Sequence, residues 1–175
     1  MNTSVLIRYQ YETMQRHFMA TLKDLNLNQM TWLPDANANP IGFLLWHVLR
    51  TWDNYYSLLF NGPELYEKDQ WPQKFGFDVS GRGIDGDAMG TGFTAEDVAV
   101  VTPQPDVLIA YFDALLDLLN RYIKTATEED LGQEFIVPWW PDPTTVAGVI
   151  SHVLTHGMEH IGQAQYVRGL LPVNS

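Results

Sequence analysis

Four stretches of this sequence repeat their apolar residues at the spacing of an α-helix, and this periodicity limits the chain to a helical fold. The predicted helices cover residues 5–25, from 39–40 to 60, from 103–106 to 125, and from 144 or 145 to 170. Asn39 is expected to cap the second helix, with Pro40 in its first turn. Four long helices in a chain of 175 residues predict one all-α domain over residues 1–175, arranged as a four-helix bundle.

The segment between the second and third predicted helices has a different character, because residues 62–102 hold seven of the 13 glycines. We expect a long crossover loop there, with a short helical turn where Thr94 and Asp97 form a capping box. A connection of this length allows the second and third helices to run parallel to each other. The bundle therefore need not follow a simple up-down-up-down order.

The composition excludes several classes of function. The chain has 10 Lys and Arg against 21 Asp and Glu, a net charge of −11, which argues against nucleic-acid and anionic-membrane partners. It has no cysteine, so any thiol in its chemistry must come from another molecule. We find no signal peptide and no apolar stretch long enough to span a membrane, so we expect a soluble cytoplasmic protein.

The histidines are the residues that most clearly indicate chemistry. His152, His156 and His160 are spaced four apart on the fourth helix, so they share one face, which borders the core. His47 lies in the apolar run FLLWHVL, where a charged imidazole would be costly. Two imidazoles four residues apart can bind one metal ion, and a third nitrogen from a facing helix would leave a coordination position open, as in catalytic sites. His17 lies among polar residues and is expected to face solvent.

Two other interpretations of the histidines are disfavoured. Residues 156–160 match H-x-x-E-H, a zinc-peptidase signature in which Glu159 would be the general base. Peptidases with this pattern take a further carboxylate ligand from downstream, but residues 161–175 contain neither Asp nor Glu. Haem binding would need axial ligands on opposite sides of the ring, which paired histidines on one helix face do not provide.

Two segments of the sequence, NPIGFLLWHVLRTWDNY and SHVLTHGMEHIGQAQYVRGLL, resemble the DinB-like superfamily of bacterial four-helix-bundle metalloproteins. The resemblance also includes the N-terminal helix and the G-x-G crossover before T-A-E-D, so it covers nearly the whole chain. It implies an up-down-down-up topology and, in many members, a homodimer. The superfamily is named after DNA-damage induction, which implies no binding to DNA.

The same resemblance implies a ligand set and a kind of reaction. By position, His47, His156 and His160 would bind a divalent metal, commonly zinc or nickel. His152 is outside this set and would line the pocket or support a ligand. The superfamily includes thiol-dependent S-transferases and mycothiol-dependent maleylpyruvate isomerases.

We therefore expect a metal-dependent enzyme that transfers or isomerises a small molecule with a low-molecular-weight thiol, because a metal-bound thiol ionises near neutral pH. Glu159 is a candidate base or orienting residue. Further candidates for the substrate pocket are Asn54, Tyr55, His152 and Gln163, together with Trp46, Trp139 and Trp140. A metal-dependent hydrolase and a non-catalytic metal-binding stress-response protein are the alternatives.

Overall fold

The computed structural model describes residues 3–172 and contains four long helices joined by shorter elements. The helices are α1 (Thr3–Leu22), α2 (Leu27–Thr31), α3 (Ile41–Leu59), α4 (Leu65–Lys68), α5 (Trp71–Phe75), α6 (Ala95–Val100), α7 (Pro105–Thr125), α8 (Glu128–Gly132) and α9 (Val146–Gly169). Two short strands, β1 (Glu134–Phe135) and β2 (Thr144–Thr145), pair antiparallel before α9. The predicted all-α class is confirmed, while the predicted domain limits, 1 and 175, lie outside the described residues.

Two of the differences between the predicted and observed helix limits have a clear physical cause. The first helix ends at Leu22, because Asp24 has a left-handed φ of 60° and Asn26 then caps the short helix α2. The prediction that Asn39 caps α3 was wrong. Pro40 is the N-cap, since its ψ of 160° is still extended, and it provides no side-chain hydrogen bond.

The crossover between α3 and α7 is more ordered than a plain loop, because it contains α4, α5, a 3₁₀ turn over Ile84–Gly86, and α6. The predicted capping box at the start of α6 is confirmed. The Asp97 amide donates to the Thr94 hydroxyl at 3.2 Å, and the Thr94 amide donates to the Asp97 carboxylate at 3.0 Å. Helices α4 and α5 were not predicted, since four or five residues are too few to show a helical period.

Contacts between the long helices give their relative directions. The Tyr11 hydroxyl donates to the Ile150 carbonyl at 2.9 Å, and Arg168 donates to the Ala20 carbonyl at 3.0 Å, so α1 and α9 run parallel. Helices α3 and α7 also run parallel, because Arg50 contacts Tyr111 and, further along both helices, Phe60 contacts Tyr122. These are the two pairs that must be parallel in an up-down-down-up arrangement.

Helix α3 is the centre of the core, with 14 of its 19 residues buried. Most of them are apolar, but three polar side chains, His47, Arg50 and Asp53, are buried among them. Buried polar groups need hydrogen-bonding partners. Each of these three side chains therefore needs a hydrogen-bonding or charged partner on another element. Within the described residues, no helix is both long enough and apolar enough to cross a membrane.

Asp53 shows how such partners join the elements. Its carboxylate accepts hydrogen bonds from the amides of Leu65 and Tyr66, at 2.8 and 2.6 Å, and from the Tyr111 hydroxyl at 2.6 Å. The Arg50 guanidinium lies 3.6 Å away. Burial raises the pKa of Asp53, and these partners oppose that effect. One carboxylate thus connects α3 to the start of α4 and to α7.

We predict that Asp53→Ala lowers the free energy of unfolding by roughly 3–5 kcal/mol, because it leaves the buried Arg50 charge without one of its partners. The matched control is Glu12→Ala, which breaks the Arg8–Glu12 pair, whose side chains are 59% and 52% exposed. That variant should lose no more than about 1 kcal/mol. Urea denaturation measures both, and equal losses in the two variants would contradict this account of the core.

Candidate metal centre

The structure brings three histidines from two helices together. His47 on α3 faces His156 and His160 on α9, and one candidate ligand nitrogen from each lies within 4.8 Å of the others. The Nε2 atoms of His156 and His160 are 3.2 Å apart. Two imidazoles on one tetrahedral zinc ion have nitrogens about 3.4 Å apart, given Zn–N bonds of about 2.0–2.1 Å. The spacing of the two α9 histidines therefore fits a single metal ion, and His47 is placed to be a third ligand.

Hydrogen bonds fix which nitrogen of two triad members is free. Nδ1 of His47 donates to the Met89 carbonyl at 2.6 Å, and Nδ1 of His160 donates to Oε1 of Gln163 at 2.7 Å. Because both oxygens can only accept, each Nδ1 carries the proton and each Nε2 keeps its lone pair. This is the arrangement of metal-ligating histidines, whose second nitrogen donates to a fixed acceptor.

The surroundings also favour the neutral forms of His47 and His156. Burial lowers the pKa of His156 to about 3, with further lowering from the imidazoles of His47, His160 and His152. Burial lowers the pKa of His47 as well, although its hydrogen bond to Met89 acts in the opposite direction. Only a neutral imidazole has a lone pair for a metal, so these shifts favour metal binding at neutral pH.

The crossover segment packs directly on His47. Gly90 has a φ of +105°, and a Cβ at this position would lie 2.8 Å from Nδ1 of His47 and 3.2 Å from the ring of Phe43. The Phe43 ring itself is nearly parallel to the His47 ring, with centroids 6.0 Å apart. His47 is thus held between a phenylalanine of its own helix and the backbone of the crossover. The roles of Met89 and Gly90 leave no pattern in the sequence, since both residues act through the backbone.

Four predicted pocket residues form one group beside the triad, which we call the aromatic group: Tyr55, Trp139, Trp140 and His152. The His152 ring lies 6.2 Å from the His156 ring, 5.3 Å from Tyr55 and 4.8 Å from Trp140. The Tyr55 hydroxyl accepts hydrogen bonds from the indole N–H groups of Trp139 and Trp140. The aromatic group therefore extends from the triad to the loop between β1 and β2.

Other candidate residues lie in different surroundings. Asn54 donates to Glu64 at 2.9 Å, and Glu64 also pairs with Arg50 at 2.8 Å, so Asn54 belongs to the polar contacts of α4. Glu159 is exposed. Burial lowers the pKa of His152, and the charge of Glu159 acts in the opposite direction. The Trp46 ring is buried in the core against Phe77 and Phe93, and His17 is exposed on α1.

We predict that Gly90→Ala weakens zinc binding at least tenfold, because the added Cβ displaces His47 and the Met89 carbonyl that orients it. Gly76→Ala is the matched control. Gly76 also has a positive φ, of +76°, but a Cβ there meets nothing within 4 Å. Both variants should be destabilised by about 1 kcal/mol through backbone strain. Chelator competition measures zinc affinity, and similar affinities in the two variants would refute the role of Gly90.

Comparison with known proteins gives the family of this chain. No functionally curated protein matches it. Four chains of known structure match, among them a conserved protein from Enterococcus faecalis solved by crystallography. That protein is 24% identical, the match covers 96% of each chain, and the TM-score is 0.82, which shows a shared fold. The sequence profile of the DinB superfamily matches residues 10–164, and the chain therefore belongs to the DinB superfamily.

Proposed function

We propose that this protein is an enzyme that transfers or isomerises a small molecule. It would use a divalent metal, zinc or nickel, and a low-molecular-weight thiol as cosubstrate. The metal would be held by His47, His156 and His160. The observation that carries the proposal is the convergence of these three imidazoles within 4.8 Å. The family membership of the chain supports it.

The donor set suits this class of metal. Three neutral imidazoles are good ligands for zinc and nickel, and the Nδ1–H groups of His47 and His160 already have acceptors. Gln163 therefore acts as a support for His160, a role different from contact with substrate. Since three protein ligands leave a fourth position free, the set has the form of a catalytic site.

The chemistry of a bound cation and the lack of cysteine both support a thiol cosubstrate. A bound divalent cation would supply a Lewis acid that lowers the pKa of a coordinated thiol or water towards neutrality. The protein has no cysteine, so a sulfur nucleophile must come from solution. The chain's own contribution is to hold three imidazoles in place and to present the aromatic group next to them.

The proposal includes the setting in which the enzyme acts. We propose a cytoplasmic homodimer that binds small molecules and neither nucleic acid nor membranes. The net charge of −11 supports the exclusion of both polyanionic partners. The dimer and the cytoplasmic location rest on the resemblance to the family and on composition.

Metal content tests the ligand set. Protein purified without chelator and loaded with zinc or nickel should hold about one ion per chain, as measured by inductively coupled plasma mass spectrometry. His156→Ala should lose most of this metal, because two imidazoles hold it far more weakly than three. His17→Ala removes an exposed histidine of α1 and should retain it. If His156→Ala and His17→Ala bind the same amount, the ligand assignment is refuted.

A turnover assay tests the reaction. The metal-loaded protein would be mixed with glutathione, cysteine, mycothiol or bacillithiol and a chromogenic electrophile, 1-chloro-2,4-dinitrobenzene. We expect thiol-dependent turnover that disappears on chelation and in His156→Ala. Hydrolysis of 4-nitrophenyl acetate without thiol dependence would instead favour the hydrolase. Metal binding without either activity would favour the non-catalytic alternative.

A further inference from the structure

We propose that Tyr55 donates a hydrogen bond to a carbonyl oxygen of the substrate, and that the substrate is a flat ring compound bearing this carbonyl. The inference rests on the proposed function, because it takes the neighbourhood of the triad as the substrate site. Its evidence is the hydrogen bonding of Tyr55 and the arrangement of rings in the aromatic group.

The Tyr55 hydroxyl is prepared to act as a donor. Its oxygen accepts the indole N–H of Trp139 at 3.2 Å and that of Trp140 at 3.1 Å. A phenol oxygen has two lone pairs and one proton, so these two bonds leave only the proton free. Among residues 3–172, no hydrogen bond uses that proton, although Tyr55 is only 6% exposed. The O–H of Tyr55 is thus a donor without an acceptor among the described residues.

The position of Tyr55 fits a molecule that also reaches the metal site. Its ring lies 5.3 Å from the ring of His152, which in turn stacks 6.2 Å from His156. His152 and His156 are one turn apart, about 6 Å along the helix axis. A small molecule attacked by a nucleophile at the triad can therefore extend along His152 and place an oxygen at Tyr55.

The neighbouring rings favour a flat substrate. Trp139 is 52% exposed, yet its indole is held in place by the bond to Tyr55. Trp140 meets His152 nearly edge-on, with ring centroids 4.8 Å apart. Oriented aromatic rings bind other flat rings through stacking and edge contacts. The loop of residues 136–143 therefore presents two fixed indoles next to a hydrogen-bond donor.

A purely structural role for Tyr55 makes a different prediction. If the hydroxyl only anchors the 136–143 loop, it acts solely as an acceptor for the two indoles. Its removal would then loosen the loop and weaken every ring ligand to the same extent. If it is also a donor to the substrate, its removal would weaken ligands that bear a carbonyl more than ligands that do not.

The test compares acetophenone with ethylbenzene, which has a similar size and shape but no carbonyl. Ligand-observed NMR gives both affinities for the zinc-loaded protein. We expect the wild type to prefer acetophenone by about fivefold, the effect of one neutral hydrogen bond. Tyr55→Phe should abolish this preference, because it lowers the affinity for acetophenone more than the affinity for ethylbenzene. Tyr9→Phe, which removes a phenol hydroxyl from a residue 63% exposed on α1, should keep it.

The opposite outcomes overturn the inference. One is a wild type that binds neither compound or binds both equally well. Another is a Tyr55→Phe variant that keeps the preference for acetophenone, or that loses affinity for acetophenone and ethylbenzene to the same extent. Trp140→Phe provides a second variant, because it removes one of the two donors that orient the hydroxyl and should reduce the preference only in part. Zinc binding by the wild type separates the two proposals. A wild type that binds no zinc but keeps a Tyr55-dependent preference for acetophenone would refute the proposed function and leave this inference standing, whereas a wild type that binds zinc but shows no preference would refute this inference alone.

Discussion

The close packing of α3 against α9 is the interaction on which the candidate site depends. Gly157 lies between the two α9 histidines of the triad, and a Cβ there would come within 2.4 Å of Met14 and 3.4 Å of Val48 on α3. A glycine in a helix interior costs about 1 kcal/mol relative to alanine. In this position it lets α9 approach α1 and α3 closely, so that His156 and His160 reach His47.

The stability of the fold and the geometry of the site meet in α3. Asp53 accepts hydrogen bonds from the Leu65 amide at the start of α4 and from the Tyr111 hydroxyl on α7, and Arg50 pairs with Glu64. These contacts hold the crossover segment to the bundle near both of its ends. His47 lies about one turn earlier on the same helix, and its hydrogen bond to the Met89 carbonyl of the crossover fixes its orientation. The buried polar side chains of one helix thus connect the core to the candidate metal site.

Patterns in the sequence predicted the parts of the molecule that depend on side chains at regular spacing. The long helices follow from apolar periodicity, and the spacing of His156 and His160 indicated the paired imidazoles. The contributions of Met89 and Gly90 leave no such pattern, because a backbone carbonyl and a missing Cβ act only through the folded chain. Asn54 is two turns from His47, yet it binds Glu64, since its direction depends on where α4 packs.

The most direct test of a three-imidazole site is X-ray absorption at the zinc edge, on protein loaded with one equivalent of zinc. The account predicts three imidazole nitrogens at about 2.0–2.1 Å, with a further light ligand that is replaced by sulfur at about 2.3 Å when a thiol is added. A zinc shell without imidazole scattering, or one made of oxygen atoms alone, would contradict it.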